Sequence, residues 1–86
     1  MEKPRILSCL NRQEIMKKLP LIEVAGHNRV LVENHQGVIC YSLEEIQIRV
    51  CYGWITLTGC KLSFAQINRE QLVITGEIRG IMLCRG

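Results

Sequence analysis

The sequence predicts an all-β domain of mainly antiparallel strands, a meander forming a small barrel or roll or a sandwich, behind a short N-terminal helix or arm. Three observations carry this expectation. From Leu21 onward, short β-type runs recur between turn signals, with Gly26, Gly37, Gly53, Gly59, Gly76 and Gly80 as the punctuation. In the clearest run, Ile46, Ile48, Val50 and Tyr52 alternate with Glu45, Gln47, Arg49 and Cys51, the period-two pattern of a sheet with one dry and one wet face. The connections are too short for parallel crossovers, which take about a dozen residues or more. A short β-solenoid is the alternative that the regular strand-turn spacing keeps open, although the runs differ in length and apolar pattern where stacked rungs should match.

The elements divide into an arm, residues 1–20, and one β domain, residues 21–86. From Pro4 to Leu19, Ile6, Leu7, Leu10, Met16 and Leu19 lie among Arg5, Arg12, Glu14, Lys17 and Lys18, a helical spacing with proline near its start. The apolar positions form no single stripe. The arm therefore reads as a helix docked on the sheet or a partner, a membrane-surface segment, or a partly ordered tail. Pro20 closes it, because proline disfavours helical geometry at the residue before it. The expected strands are then Leu21–Ala25, Arg29–Asn34, Val38–Ser42, Glu45–Tyr52, Trp54–Thr58, Leu62–Gln66, Gln71–Thr75 and Ile78–Cys84. Asn34-His35-Gln36-Gly37 reads as a hairpin loop, since Asn tolerates left-handed geometry and Gly supplies positive φ. Gly53 is expected to permit a tight reversal, with Gly59 as the next corner.

A chain of 86 residues with 48% apolar and 22% charged content folds as one domain with a thin core, burying only about 60% of its unfolded surface. A homo-oligomer that caps open sheet edges would add to that burial. The formal charge of +3 is mildly basic, and Lys17-Lys18 is the one adjacent basic pair. Scattered charge does not mark a nucleic-acid face. No unbroken apolar run suits a signal peptide or a spanning helix, so the expected compartment is the cytoplasm. There the five cysteines, Cys9, Cys40, Cys51, Cys60 and Cys84, are expected as free thiols, as their odd number suggests.

No catalytic, cofactor or metal site is expected. His27 and His35 are the sole histidines, and neither a CxxC nor an HxxxH pair occurs; a zinc module would need Cys40, Cys51 and Cys60 to converge across strands. Glu44 and Glu45 read as a solvated turn and strand start, not an acid-base pair. The glycines make neither a GxGxxG nor a P-loop, so no small-molecule substrate is implied. Among the aromatics, Tyr52 and Phe64 are in phase with apolar neighbours and should face inward. Trp54 is out of phase with Ile55 and Leu57, which makes it a candidate for a protein contact. An exposed aromatic beside Arg49 would also suit an OB-like or Sm-like nucleic-acid-binding barrel, the alternative function.

The run ENHQGVICYS, Glu33 to Ser42, resembles the hallmark of the YabP/YqfC sporulation family, in its YqfC type. The likeness continues through Ile46, Ile48, Gly53, Gly59, Leu62, Glu70, Leu72, Ile74, Gly76 and Ile78, and upstream LPLIEVAGHNRV is similar to the family's opening pattern. It spans roughly Leu19 to Leu83. The arm matches no family pattern, and Cys40, Cys51 and Cys60 are peculiar to this chain. The resemblance implies a non-enzymatic protein of endospore-forming bacteria, an assembly or scaffold component of spore development. It further implies the mother-cell cytoplasm, peripheral to a spore envelope membrane through a membrane-embedded sporulation partner. The candidate interaction surface is Glu33, Asn34, His35, Tyr41 and Trp54, with His35 as a plain loop residue the competing reading.

Overall fold

The computed structural model describes residues 19–86. The arm expected over residues 1–20 therefore lies, but for its last two residues, outside the described part. Six strands follow: β1 Leu21–Ala25, β2 Arg29–Glu33, β3 Val38–Tyr41, β4 Glu45–Val50, β5 Gly53–Ile67 and β6 Gln71–Arg85. All neighbours are antiparallel, in one sheet of order β1-β2-β6-β5-β4-β3. The all-β antiparallel expectation holds. The sheet stays open, because its outer strands β1 and β3 do not pair, so the barrel does not close and no solenoid forms. The chain runs as a meander through β3 to β6, but β2 reaches across to pair with β6.

Eight expected strands became six because two expected corners are bulges inside long strands. Along β5 and β6 the register shifts between Thr58 and Gly59, between Cys60 and Ser63, and between Phe64 and Gln66. At the second shift, Lys61 and Leu62 face the space opposite Gly76 alone. Lys61 takes φ 53° and Gly76 φ 133°. A β-carbon on Gly76 would come within 2.6 Å of the Lys61 carbonyl oxygen, and one on Gly59 would overlap the Glu77 carbonyl. Glycine here admits a close backbone approach without ending the strand, and such bulges bend a sheet.

The bend explains the core. β2 pairs with β6 only over Leu72 and its neighbours, whereas β4 pairs with β5 only up to Thr58, so the sheet changes partners at the bulge. Val30, Val32, Leu72 and Ile74 from one half form a single buried cluster with Ile46, Ile48, Val50, Ile55 and Leu57 from the other. One face of a flat sheet cannot bury all of these; the halves fold over each other into two layers. Leu62 joins the same cluster. It lies five positions after Leu57, so without the extra bulge residue it would point outward. Tyr52 and Phe64 pack against the cluster, as their phase predicts.

The tight turns are made locally. Val50 pairs with Gly53, so Cys51-Tyr52 makes the β4-β5 reversal that had been expected at Gly53. At the β3-β4 turn, Ser42 Oγ accepts from the N–H groups of Glu44 and Glu45 at 3.3 and 3.0 Å, which fits Glu44-Glu45 as turn and strand start.

Candidate interaction surface

Asn34 to Gly37 joins β2 to β3, which lie on different sides of the sheet, so the segment is a crossover and not the expected hairpin loop. Its conformations do match expectation: Asn34 has φ 63° and Gly37 φ 118°. The crossover passes the tip of the β5-β6 hairpin and is tied to it. The Asn34 N–H donates to the Glu70 carbonyl at 2.9 Å, and Asn34 Nδ2 donates to the Leu19 carbonyl at 2.9 Å. His35 Nδ1 accepts from the Gly37 N–H at 3.0 Å, so Nε2 carries the hydrogen that reaches the Asn68 carbonyl at 2.8 Å. Asn68 in turn shapes the hairpin tip, its Oδ1 accepting from Glu70 and Gln71 N–H at 3.0 and 2.7 Å. The Asn-His pair thus clamps two distant turns, and both imidazole nitrogens are used within the chain.

Tyr41 stands on β3 with its ring against Phe64, centroids 5.3 Å apart, and its hydroxyl donates to the Leu62 carbonyl at 3.2 Å. These contacts hold β3 against the second half of β5 without a ladder. Glu33, Asn34, His35 and Tyr41 therefore lie along one seam, from the hairpin tip to the bulge. Trp54 does not join them. It sits half-buried on the outer face of the other half, opposite Arg49 on β4 and Cys84 on β6.

A feature absent from the sequence-based candidates is the edge of β6. β2 pairs with β6 no further than Thr75, and the β1-β2 turn adds the His27 carbonyl to the Ile78 N–H at 2.7 Å. From Arg79 to Arg85, that side of β6 has no ladder partner among the described residues. Gly86 N–H donates to the Tyr52 carbonyl at 3.0 Å, and consecutive strand residues alternate. Arg85, Leu83 and Ile81 therefore direct their N–H and C=O groups out from the sheet. Leu83 and Met82 are 59% and 64% exposed, and Tyr52, Leu83 and Arg85 line an open depression of about 400 Å³ beside this edge. The only hint in the sequence is the unbroken apolar run Ile81 to Cys84, where alternation fails.

Among the described residues, no group of three His, Cys, Asp or Glu side chains is placed to hold a metal ion, and no helix is long and apolar enough to cross a membrane. Cys40 and Cys51 are exposed, Cys60 and Cys84 half-buried, all as free thiols.

A family model described as the YabP family matches residues 17–85, which include all six strands. The chain belongs to the YabP family. It is similar to the uncharacterized protein YqfC of Bacillus subtilis (strain 168), 26% identical over 65 residues that cover 76% of this chain and 70% of that protein. No solved structure matches. The YabP/YqfC family is associated with sporulation, and its matched region here contains the crossover, the hairpin tip and both bulge glycines.

Proposed function

We propose that this YabP-family chain is a non-enzymatic assembly component of spore development, working in the mother-cell cytoplasm at a spore envelope membrane beside a membrane-embedded partner. The observation that carries the reading is the family match over residues 17–85, in a family associated with sporulation. What supports the non-enzymatic part is the use made of the chain's most distinctive polar side chains. The Asn34 amide is spent on the Leu19 carbonyl and the His35 ring on Gly37 and the hairpin tip, which leaves neither nitrogen of that imidazole free as a base. What supports assembly is the open sheet, whose edges have no strand partner among the described residues and so suit recognition by strand addition. Trp54 beside Arg49 offers a second contact on the outer face.

Deleting the gene in its endospore-forming host tests the role: heat-resistant spore yield should fall while vegetative growth is unchanged, and normal spores would end the proposal. Affinity capture with crosslinking from sporulating cells then tests the partner. A membrane protein should be recovered with the wild-type chain; its absence would remove the membrane-partner part.

A further inference from the structure

We propose that the free edge of β6, Arg79 to Arg85, is a strand-addition site for an extended segment of another protein that is apolar at its centre and carries carboxylates at its ends. The inference rests on the edge itself and holds whether or not the sporulation role does.

Three observations converge on it. The outward N–H and C=O groups of Ile81, Leu83 and Arg85 form half of an antiparallel ladder, and an added strand supplies the other half. Side chains of a strand alternate between faces, so one side chain of the guest enters the depression lined by Tyr52, Leu83 and Arg85. That depression opens beside Leu83, a residue 59% exposed although its ladder partner Ile55 is fully buried. A guest residue there completes an inner face that the described residues leave unfinished.

Charge selects the guest. Gly80 to Cys84 is uncharged, and arginines stand at both ends of the free edge. Glu77 reaches Arg79 only through an exposed pair at 3.7 Å, and nothing among the described residues pairs with Arg85. A second copy pairing edge to edge would bring four arginines around one short ladder, and flanking charges of this kind guard edges against self-pairing. Terminal carboxylates on the guest meet the same arginines favourably.

The test uses the full 86-residue chain and two acetylated, fluorescently labelled probe peptides, Glu-Leu-Thr-Val-Thr-Leu-Glu and the same sequence with lysine at both ends. Anisotropy should show the glutamate-ended peptide binding about fivefold tighter or more, the size two exposed charge pairs supply. In the free chain at low concentration, amide hydrogen exchange should be fast at Ile81 and Leu83, and slowed by the glutamate-ended peptide. Leu83→Pro removes an N–H that faces away from β5, so the fold should persist while binding is lost. Arg85→Glu should weaken the glutamate-ended peptide and favour the lysine-ended one. Equal binding of the two probes, or binding by neither up to millimolar concentration, overturns the proposal. Protection of Ile81 and Leu83 in the free dilute chain overturns it as well, since the edge is then filled by the chain's own residues. Protection that grows with protein concentration does the same by showing a second copy there.

Discussion

His35 is the residue at which the family likeness and the geometry meet. Its ring accepts from Gly37 and donates to Asn68, which lies 33 residues away in sequence. The loop residues that flank it hold left-handed backbone at Asn34 and Gly37. Removing the ring leaves the Asn34 N–H bond to Glu70 as the crossover's tie to the hairpin tip, and two hydrogen bonds of ordinary strength are lost. His35→Ala should therefore lower stability by about 1–3 kcal/mol in urea unfolding. If the variant were as stable as wild type yet failed in partner capture, the side chain would be a contact residue and not a clamp. Asn34 separates two contributions in the same way. Asn34→Gly keeps the backbone conformation and loses the Nδ2 bond to Leu19, whereas Asn34→Val also forces a β-branched residue to φ 63°. The valine variant should be the less stable by about 1–2 kcal/mol under the same urea titration.

At the scale of the element, the bulge at Lys61 and Gly76 sets the shape of the molecule. Lys61 sits at φ 53°, a conformation that costs a non-glycine residue about 1–2 kcal/mol. Glycine there is free of that cost but loses more backbone entropy on folding, about 0.5–1 kcal/mol. Lys61→Gly should accordingly stabilise the protein by up to about 1 kcal/mol, a rise seen as a higher urea midpoint at unchanged slope. Gly76→Val should have the opposite sign and be larger, because φ 133° and the Lys61 carbonyl at 2.6 Å both exclude the side chain. This corner also marks the limit of what was legible in the sequence. The alternation through Ile46, Ile48 and Val50 announces β4 directly, since half-burial imposes it. Gly59 and Gly76 announce only that backbone freedom is needed, and a turn and a bulge need it equally. Pairing of β2 with β6 depends on contacts 38 to 46 residues apart along the chain, which no local pattern encodes. The candidate site divides along the same line. Left-handed geometry at Asn34 could be read from residue type, but the partners of His35 and the free edge of β6 depend on strand order.

Across the whole molecule, stability rests on a small core shared by both layers. Among the described residues the buried side chains come from β2 and β6 on one side and β4 and β5 on the other, and the four described cysteines form no disulfide to supplement them. Leu62 is the residue placed where the layers meet, fully buried just past the bulge. Truncating such a residue costs about 2–5 kcal/mol, a large share of the roughly 5–15 kcal/mol that holds a domain together. For a chain of this length each 1 kcal/mol moves the melting temperature by about 4–8 °C, so Leu62→Ala should lower Tm by roughly 10 °C or more. Met82→Ala, at a site 64% exposed, serves as the control and should change stability by no more than about 0.5 kcal/mol. Because the layers share one core, far-ultraviolet circular dichroism and tryptophan fluorescence, which reports from Trp54 on one layer, should melt together in both variants. A Leu62→Ala protein whose fluorescence transition stayed near the wild-type temperature while its circular dichroism fell in two steps would mean that each layer stands alone, and that the bend joins two cores and not one.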